Sequence, residues 1–208
     1  TQGIDVTVIS FSARRDYTLD GVKVYTMETY RSKLSRQRYD LLVSHAPNLR
    51  AHYRFLKKYG ARFRKIVFFF HGHEVLRTSE VYPPPYEYMR RKSSIYGTLR
   101  DLYDRTKLLV WRRYFTRISR KAHFVFVSRW MFDMFMRYVK LDSRLIERRK
   151  HVIYNCVGES FEKEVYDAKT EKKYDFITIR NNLDGSKYGI DLVVRAAKSN
   201  PRRKFCVV

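Results

Sequence analysis

With 208 residues, 44% of them hydrophobic and 16% aromatic, the chain carries enough apolar material for a buried core, which excludes a disordered protein. Its longest purely apolar run, residues 66–70, is far too short to span a bilayer, and two cysteines, Cys156 and Cys206, are too few for a disulfide framework or a zinc site. The 44 Lys and Arg against 21 Asp and Glu leave a formal charge of +23, a field that attracts polyanions: nucleic acid, anionic membrane or phosphorylated ligands.

The opening residues show no basic stretch followed by an apolar one, so no signal peptide is visible, and a cytosolic protein is expected. Residues 4–9 are β-branched and read as a strand, and residues 21–26 read as a second. A third, residues 39–44, ends at His45. Leu49, Tyr53, Leu56 and Tyr59 then keep helical spacing up to Gly60. From Arg31 to Lys65 there are eleven Lys and Arg and one acid, Asp40. Residues 65–70 form a continuous apolar run, the pattern of a strand buried in a parallel sheet. A loop follows, with Pro83, Pro84 and Pro85 at its centre.

Over residues 98–121 the positions Leu99, Leu102, Tyr103, Leu109, Val110, Tyr114 and Ile118 keep a helical period. Arg112, Arg113, Arg117, Arg120 and Lys121 fall largely off that stripe. Residues 122–127 read as another buried strand, and Ser128 is placed to cap a helix through Trp130, Met134, Phe135 and Tyr138. Residues 151–154 form a short strand closed by a turn at 155–158, and 159–173 read as a linker. From Tyr174 the pattern restarts as strand, polar loop, amphipathic helix, turn and strand, with Cys206 inside a buried strand. Strands alternating with helices predict an α/β protein: a Rossmann-like parallel sheet with helices on both faces over residues 1–158, then the first β-α-β of a second Rossmann-like domain over 174–208.

Three clusters carry candidate chemistry. His71, Gly72, His73 and Glu74 follow the 65–70 strand directly, at the sheet edge where α/β proteins bind ligands. Gly72 allows a sharp turn and close approach to a ligand, and His71 can donate to a phosphate or hydroxyl or act in acid–base chemistry. A zinc-binding His-Glu-x-x-His pattern would need a second histidine where Arg77 stands, so no metal is expected. Ser128 and Arg129 open a helix after a strand and offer N–H groups and a cation to an anion, although an ordinary N-cap uses the same residues. Arg180 and Lys187 flank a glycine-bearing loop at a helix start, an arrangement that suits a diphosphate because two cations neutralise a charged leaving group. That loop lacks both G-x-G-x-x-G and the Walker A lysine pattern, which argues against a dinucleotide fold and a P-loop kinase.

In chain order these pieces resemble the glycosyltransferases of family 4, retaining enzymes with two Rossmann-like domains (the GT-B fold). The family's aspartate-led strand is similar to Tyr39, Asp40, Leu41, Leu42, Val43, Ser44 and His45. Its apolar strand ending in His-Gly matches Phe68, Phe69, Phe70, His71 and Gly72, and its alanine-led strand closing in Val-Ser matches Ala122 through Val127 and Ser128. The turn ending the first domain resembles Val152, Ile153, Tyr154, Asn155, Cys156 and Val157 with Phe161 nearby, although Tyr154 and Cys156 stand where the family has proline and glycine. The start of the second domain resembles Arg180, Lys187, Gly189, Asp191, Ala196 and Ala197, with Tyr188 separating lysine from glycine.

The resemblance implies a nucleotide-sugar-dependent hexosyltransferase that delivers a sugar to a glycan or lipid-linked acceptor in cell-envelope polysaccharide synthesis. His71 would be catalytic, facing acceptor and sugar, with Gly72, His73 and Glu74 as its loop. Arg180 and Lys187 would hold the donor diphosphate in a cleft between the domains, and the reaction would need no metal or other cofactor. It also implies that the family's first strand precedes Thr1 and its paired-glutamate segment follows Val208, so the 208 residues alone are expected to be inactive. Basic and aromatic surface at Tyr53, Arg54, Lys57, Lys58, Arg62, Arg64 and residues 111–113 would draw the protein to the anionic inner face of the plasma membrane. The alternatives are a basic α/β module binding nucleic acid or a polyanionic glycan, disfavoured by the lack of a nucleic-acid motif, and a sugar-phosphate epimerase of related fold.

Overall fold

A computed structural model describes residues 3–84, 86–87, 93–165, 167–180, 183 and 185–208, the side chains of 93–96, 159 and 160 excepted. The chain forms two compact units: Thr1–Glu74 with Trp111–Ile153, and Val75–Val110 with Tyr154–Val208.

Two sheets organise the first unit. In the smaller, β1 (Thr7–Ser10) runs parallel to β3 (Val22–Thr26), and β2 (Tyr17–Leu19) pairs antiparallel on the other side of β3. Asp20 and Gly21 join β2 to β3 with φ of 47° and 78°, the left-handed pair that a tight hairpin requires and that Asp-Gly supplies at low cost. The spacing predicts the strand over 21–26 but not β2, whose signal is the Asp-Gly dipeptide, and Gly21 falls in the turn rather than in β3. α1 (Met27–Thr29) follows, with the Thr26 hydroxyl accepting the Thr29 N–H at 3.1 Å.

The larger sheet is four-stranded and all parallel, in the order β4 (Tyr39–His45), β5 (Phe63–Phe70), β6 (Ala122–Phe126), β7 (Lys150–Val152). α2 (Arg54–Tyr59) precedes β5. It is entered through a wide helical turn, Leu49–Tyr53, capped by the Asn48 side chain, which accepts the Ala51 N–H at 2.8 Å. α3 (Thr78–Val81) and α4 (Ser93–Ile118) connect β5 to β6, and α5 (Arg129–Val139) connects β6 to β7. Parallel strands joined through helices make this the expected Rossmann-like α/β architecture.

Strand alternation decides where the core lies. Ile66, Phe68 and Phe70 of β5 and Ala122, Phe124 and Phe126 of β6 share one fully buried face. Trp111 and Phe115 of α4 and Phe135 of α5 pack against it. The Phe68 and Phe115 rings meet edge-on at 4.9 Å, and Phe126 and Phe135 at 5.1 Å. Burying each such ring contributes about 1.5–3 kcal/mol. The opposite face is more open, with Val67 and Phe69 half-buried and Leu41 51% exposed.

α4 departs from the expected stripe. In its first half Leu99 and Leu102 are 57% and 60% exposed, while Asp104 and Lys107 are 3% and 5% exposed. The apolar period there was real but faces outward, because a buried ion pair took the inward positions. Lys121, read as lying off the apolar stripe, donates to the Gly60 and Phe63 carbonyls at 2.6 and 3.2 Å and ties the start of β5 to that of β6.

In the second unit, β8 (Phe176–Thr178) pairs parallel with β9 (Phe205–Val207) across the helix between them, so the expected β-α-β is present. A short α6 (Glu159–Lys163) lies in the segment expected as a linker, and α7 (Ile190–Ser199) is the crossover helix. Cys206 is half-buried rather than buried, since two strands cover little of each other's faces.

Candidate functional site

Parallel register brings two histidines together in the first unit. His45 sits opposite Phe69 at the carboxyl end of β4, and His71 follows β5 two residues later. The sheet period of two puts Phe69 and His71 on one face, beside His45 on the next strand. The His45 Nδ1 and His71 Nε2 atoms are 3.3 Å apart, and His45 and Phe69 stack at 4.8 Å. In that hydrogen bond one imidazole donates and the other accepts. Burial, with the neighbouring His71 second, holds His45 below the ordinary histidine value of 6.5.

The backbone around the pair is tightly held. Ala46, after His45, is left-handed at φ 43°, a costly conformation for a residue with a Cβ, and its N–H donates to the Phe69 carbonyl at 3.0 Å. Gly72 donates its N–H to the Glu74 carboxylate at 2.6 Å, closing the His71–Gly72–His73–Glu74 loop on itself before the turn His73–Val75. The Glu74 side chain therefore shapes the loop. The sequence singles out His71 as a candidate, and His45 stands in the strand motif, but only the pairing of β4 with β5 brings the two side by side.

Ser128 accepts the Met131 N–H at 3.1 Å from an extended backbone, the geometry of an N-cap on α5, and Arg129 is exposed beside it.

In the second unit Lys187 lies in a one-turn helix, Ser186–Tyr188, that ends on Gly189 at φ +66° and leads into α7. Its ammonium is 4.7 Å from the Tyr188 ring centre and 5.5 Å from that of Tyr82, cation–π distances. The proline-rich loop adjoins it: Ser186 Oγ donates to the Pro83 carbonyl at 3.2 Å, and Tyr86 OH to Asp191 at 3.3 Å. Together they line a cavity of about 500 Å³ with Pro83, Tyr86, Glu87, Lys187, Gly189 and Asp191 in its wall. Arg180 stands exposed at the end of β8, its N–H donating to the Val208 carbonyl at 2.8 Å, and is not part of that wall. Pro85 and the loop residues Asn181, Asn182 and Asp184 lie outside the described residues. Tyr82, Pro83 and Tyr86 escaped sequence reasoning because about a hundred positions separate them from Lys187.

Among the described residues no three of His, Cys, Asp and Glu converge as metal ligands would, and no helix is long and apolar enough to cross a membrane. No protein-family model, no curated protein and no solved structure matches this chain.

Proposed function

We propose that the chain is part of a nucleotide-sugar-dependent glycosyltransferase, with Lys187 as a contact for the donor's phosphates and His71 orienting the reacting hydroxyl or sugar. The observation that carries this reading is the cavity at the start of α7. Among the described residues of its wall, the cation Lys187 is present for phosphate, and the carboxylates Glu87 and Asp191 are present to accept from sugar hydroxyls. Its volume of about 500 Å³ falls in the range of about 300–1,000 Å³ typical of small-ligand sites. The exposed amino end of α7 adds N–H donors and a positive dipole end. Arg180 contributes positive charge from the end of β8, and Gly72 to Glu74 shape the loop that carries His71. A glycan or lipid-linked acceptor fits the charge, which favours a peripheral position on an anionic membrane. No metal or cofactor enters this scheme, and nucleic acid is not the expected partner.

Titrating the chain with a panel of nucleoside diphosphates by calorimetry tests the reading. At least one should bind, and Lys187→Ala should weaken it about tenfold, the loss of one charge-assisted bond. Failure of every diphosphate to bind, or equal binding by the variant, would sink the proposal.

A further inference from the structure

The four parallel strands β4 to β7 are each entered through basic residues. Arg36 and Arg38 precede β4; Arg62, Arg64 and Lys65 open β5; Arg120 and Lys121 precede β6; Arg148, Arg149 and Lys150 open β7. Because the strands run in one direction, all of these cations collect at the amino edge of the sheet, away from the edge that carries His45 and His71.

At β6 and β7 that edge is concave. A cavity of about 290 Å³ is lined by Ser119, Arg120, Arg144, Glu147, Arg148 and Arg149. Two of its arginines are held in place by the fold: Arg144 grips Asp142 through Nε at 3.1 Å and Nη2 at 2.8 Å, and Arg149 donates to the Arg120 carbonyl. The other two, Arg120 and Arg148, have no hydrogen bond or ion pair to their side chains among the described residues. Glu147, the single acid of the lining, forms no ion pair with the four guanidiniums among the described residues. Four guanidiniums gathered around a small hollow with one unpaired acid among them raise the energy of the empty site, and an anion relieves it. Guanidinium groups match the oxygens of a phosphate two at a time, and the cavity has ample room for such a group.

We propose that this cavity binds a phosphate monoester, free or as the headgroup of an anionic lipid, through Arg120 and Arg148. The site lies at the end of the strands opposite His71, so loss of this binding and loss of sugar-nucleotide binding are separable. The full 208-residue chain would be titrated with inorganic phosphate by calorimetry. It would also be sedimented with phosphatidylcholine vesicles, plain or doped with phosphatidate. The double variant Arg120→Gln/Arg148→Gln should lose binding about tenfold or more, whereas Arg14→Gln/Arg15→Gln, which removes equal charge from the exposed loop between β1 and β2, should retain it. Binding of both probes assigns the site to phosphate monoesters generally, and binding of doped vesicles alone assigns it to a lipid headgroup; either outcome with the stated variant pattern supports the proposal. If neither probe binds, or if the two double variants weaken binding equally, the proposal falls. In the second case only net charge is being read.

Discussion

Single residues show how burial overrides hydropathy here. The Asp104 carboxylate accepts the Thr78 N–H at 2.9 Å, the Thr78 hydroxyl at 2.7 Å and the Lys107 ammonium at 2.7 Å, and Lys107 donates again to the Leu76 carbonyl at 3.1 Å. Burial pushes the Asp104 carboxyl up, yet its bonds from Lys107 and Thr78 outweigh that and hold it below the ordinary value of 3.8. Removing one partner of a buried pair costs far more than the pair is worth. Asp104→Asn should therefore destabilise the protein by about 3–5 kcal/mol, read as a lower urea midpoint, because Lys107 loses its buried counter-charge. A midpoint within error of the parent would mean that the pair is not buried in solution. Nothing in the sequence marked these two residues, since Asp and Lys three apart on a helix usually lie in water.

At the scale of elements, ends matter more than middles. α5 begins on the Ser128 cap, legible as a serine after a strand, and ends on Lys140 at φ 54°, ψ 42°, where glycine is the usual residue. A left-handed residue with a Cβ costs about 1–2 kcal/mol, against about 0.5–1 kcal/mol for glycine's extra freedom when unfolded. Lys140→Gly should then raise stability by up to about 1 kcal/mol and Tm by a few degrees, measured calorimetrically. An unchanged or lower Tm would show that the lysine has compensating contacts. α4 teaches the converse lesson. Its existence followed from the apolar period, but its inward face did not, because in this helix Leu99 and Leu102 point outward while Trp111 and Phe115 meet the sheet.

For the whole molecule, acid response joins the elements. Burial holds His45, His52 and His123 below 6.5, and His123 is lowered further by His151, whose Nε2 lies 3.3 Å from its Nδ1. Charging these rings costs more in the folded chain than in the unfolded one, so the unfolded state takes up more protons as pH falls. Their contribution is complete above 6.5 and declines as pH drops from there through their lowered values. The aspartates Asp16, Asp104 and Asp175 are shifted below 3.8 and lose theirs only in the more acidic window beneath that value. Urea midpoints should therefore fall between about pH 7 and about pH 5, and His123→Gln should flatten that slope. A slope identical in the variant would remove His123 from the account.

Periodicity, strand-ending glycines and histidines, and the restart after residue 173 were enough to specify an α/β chain with a parallel sheet and a β-α-β. These are local properties, written in the spacing of side chains along one segment. Tertiary structure alone decided that His45 meets His71, that Tyr82 meets Lys187 and Tyr86 meets Asp191, and that Arg120 and Arg148 share one hollow. Each of those contacts joins residues far apart in the chain. Such neighbours are set by which strands pair and in what register, information that no single segment contains.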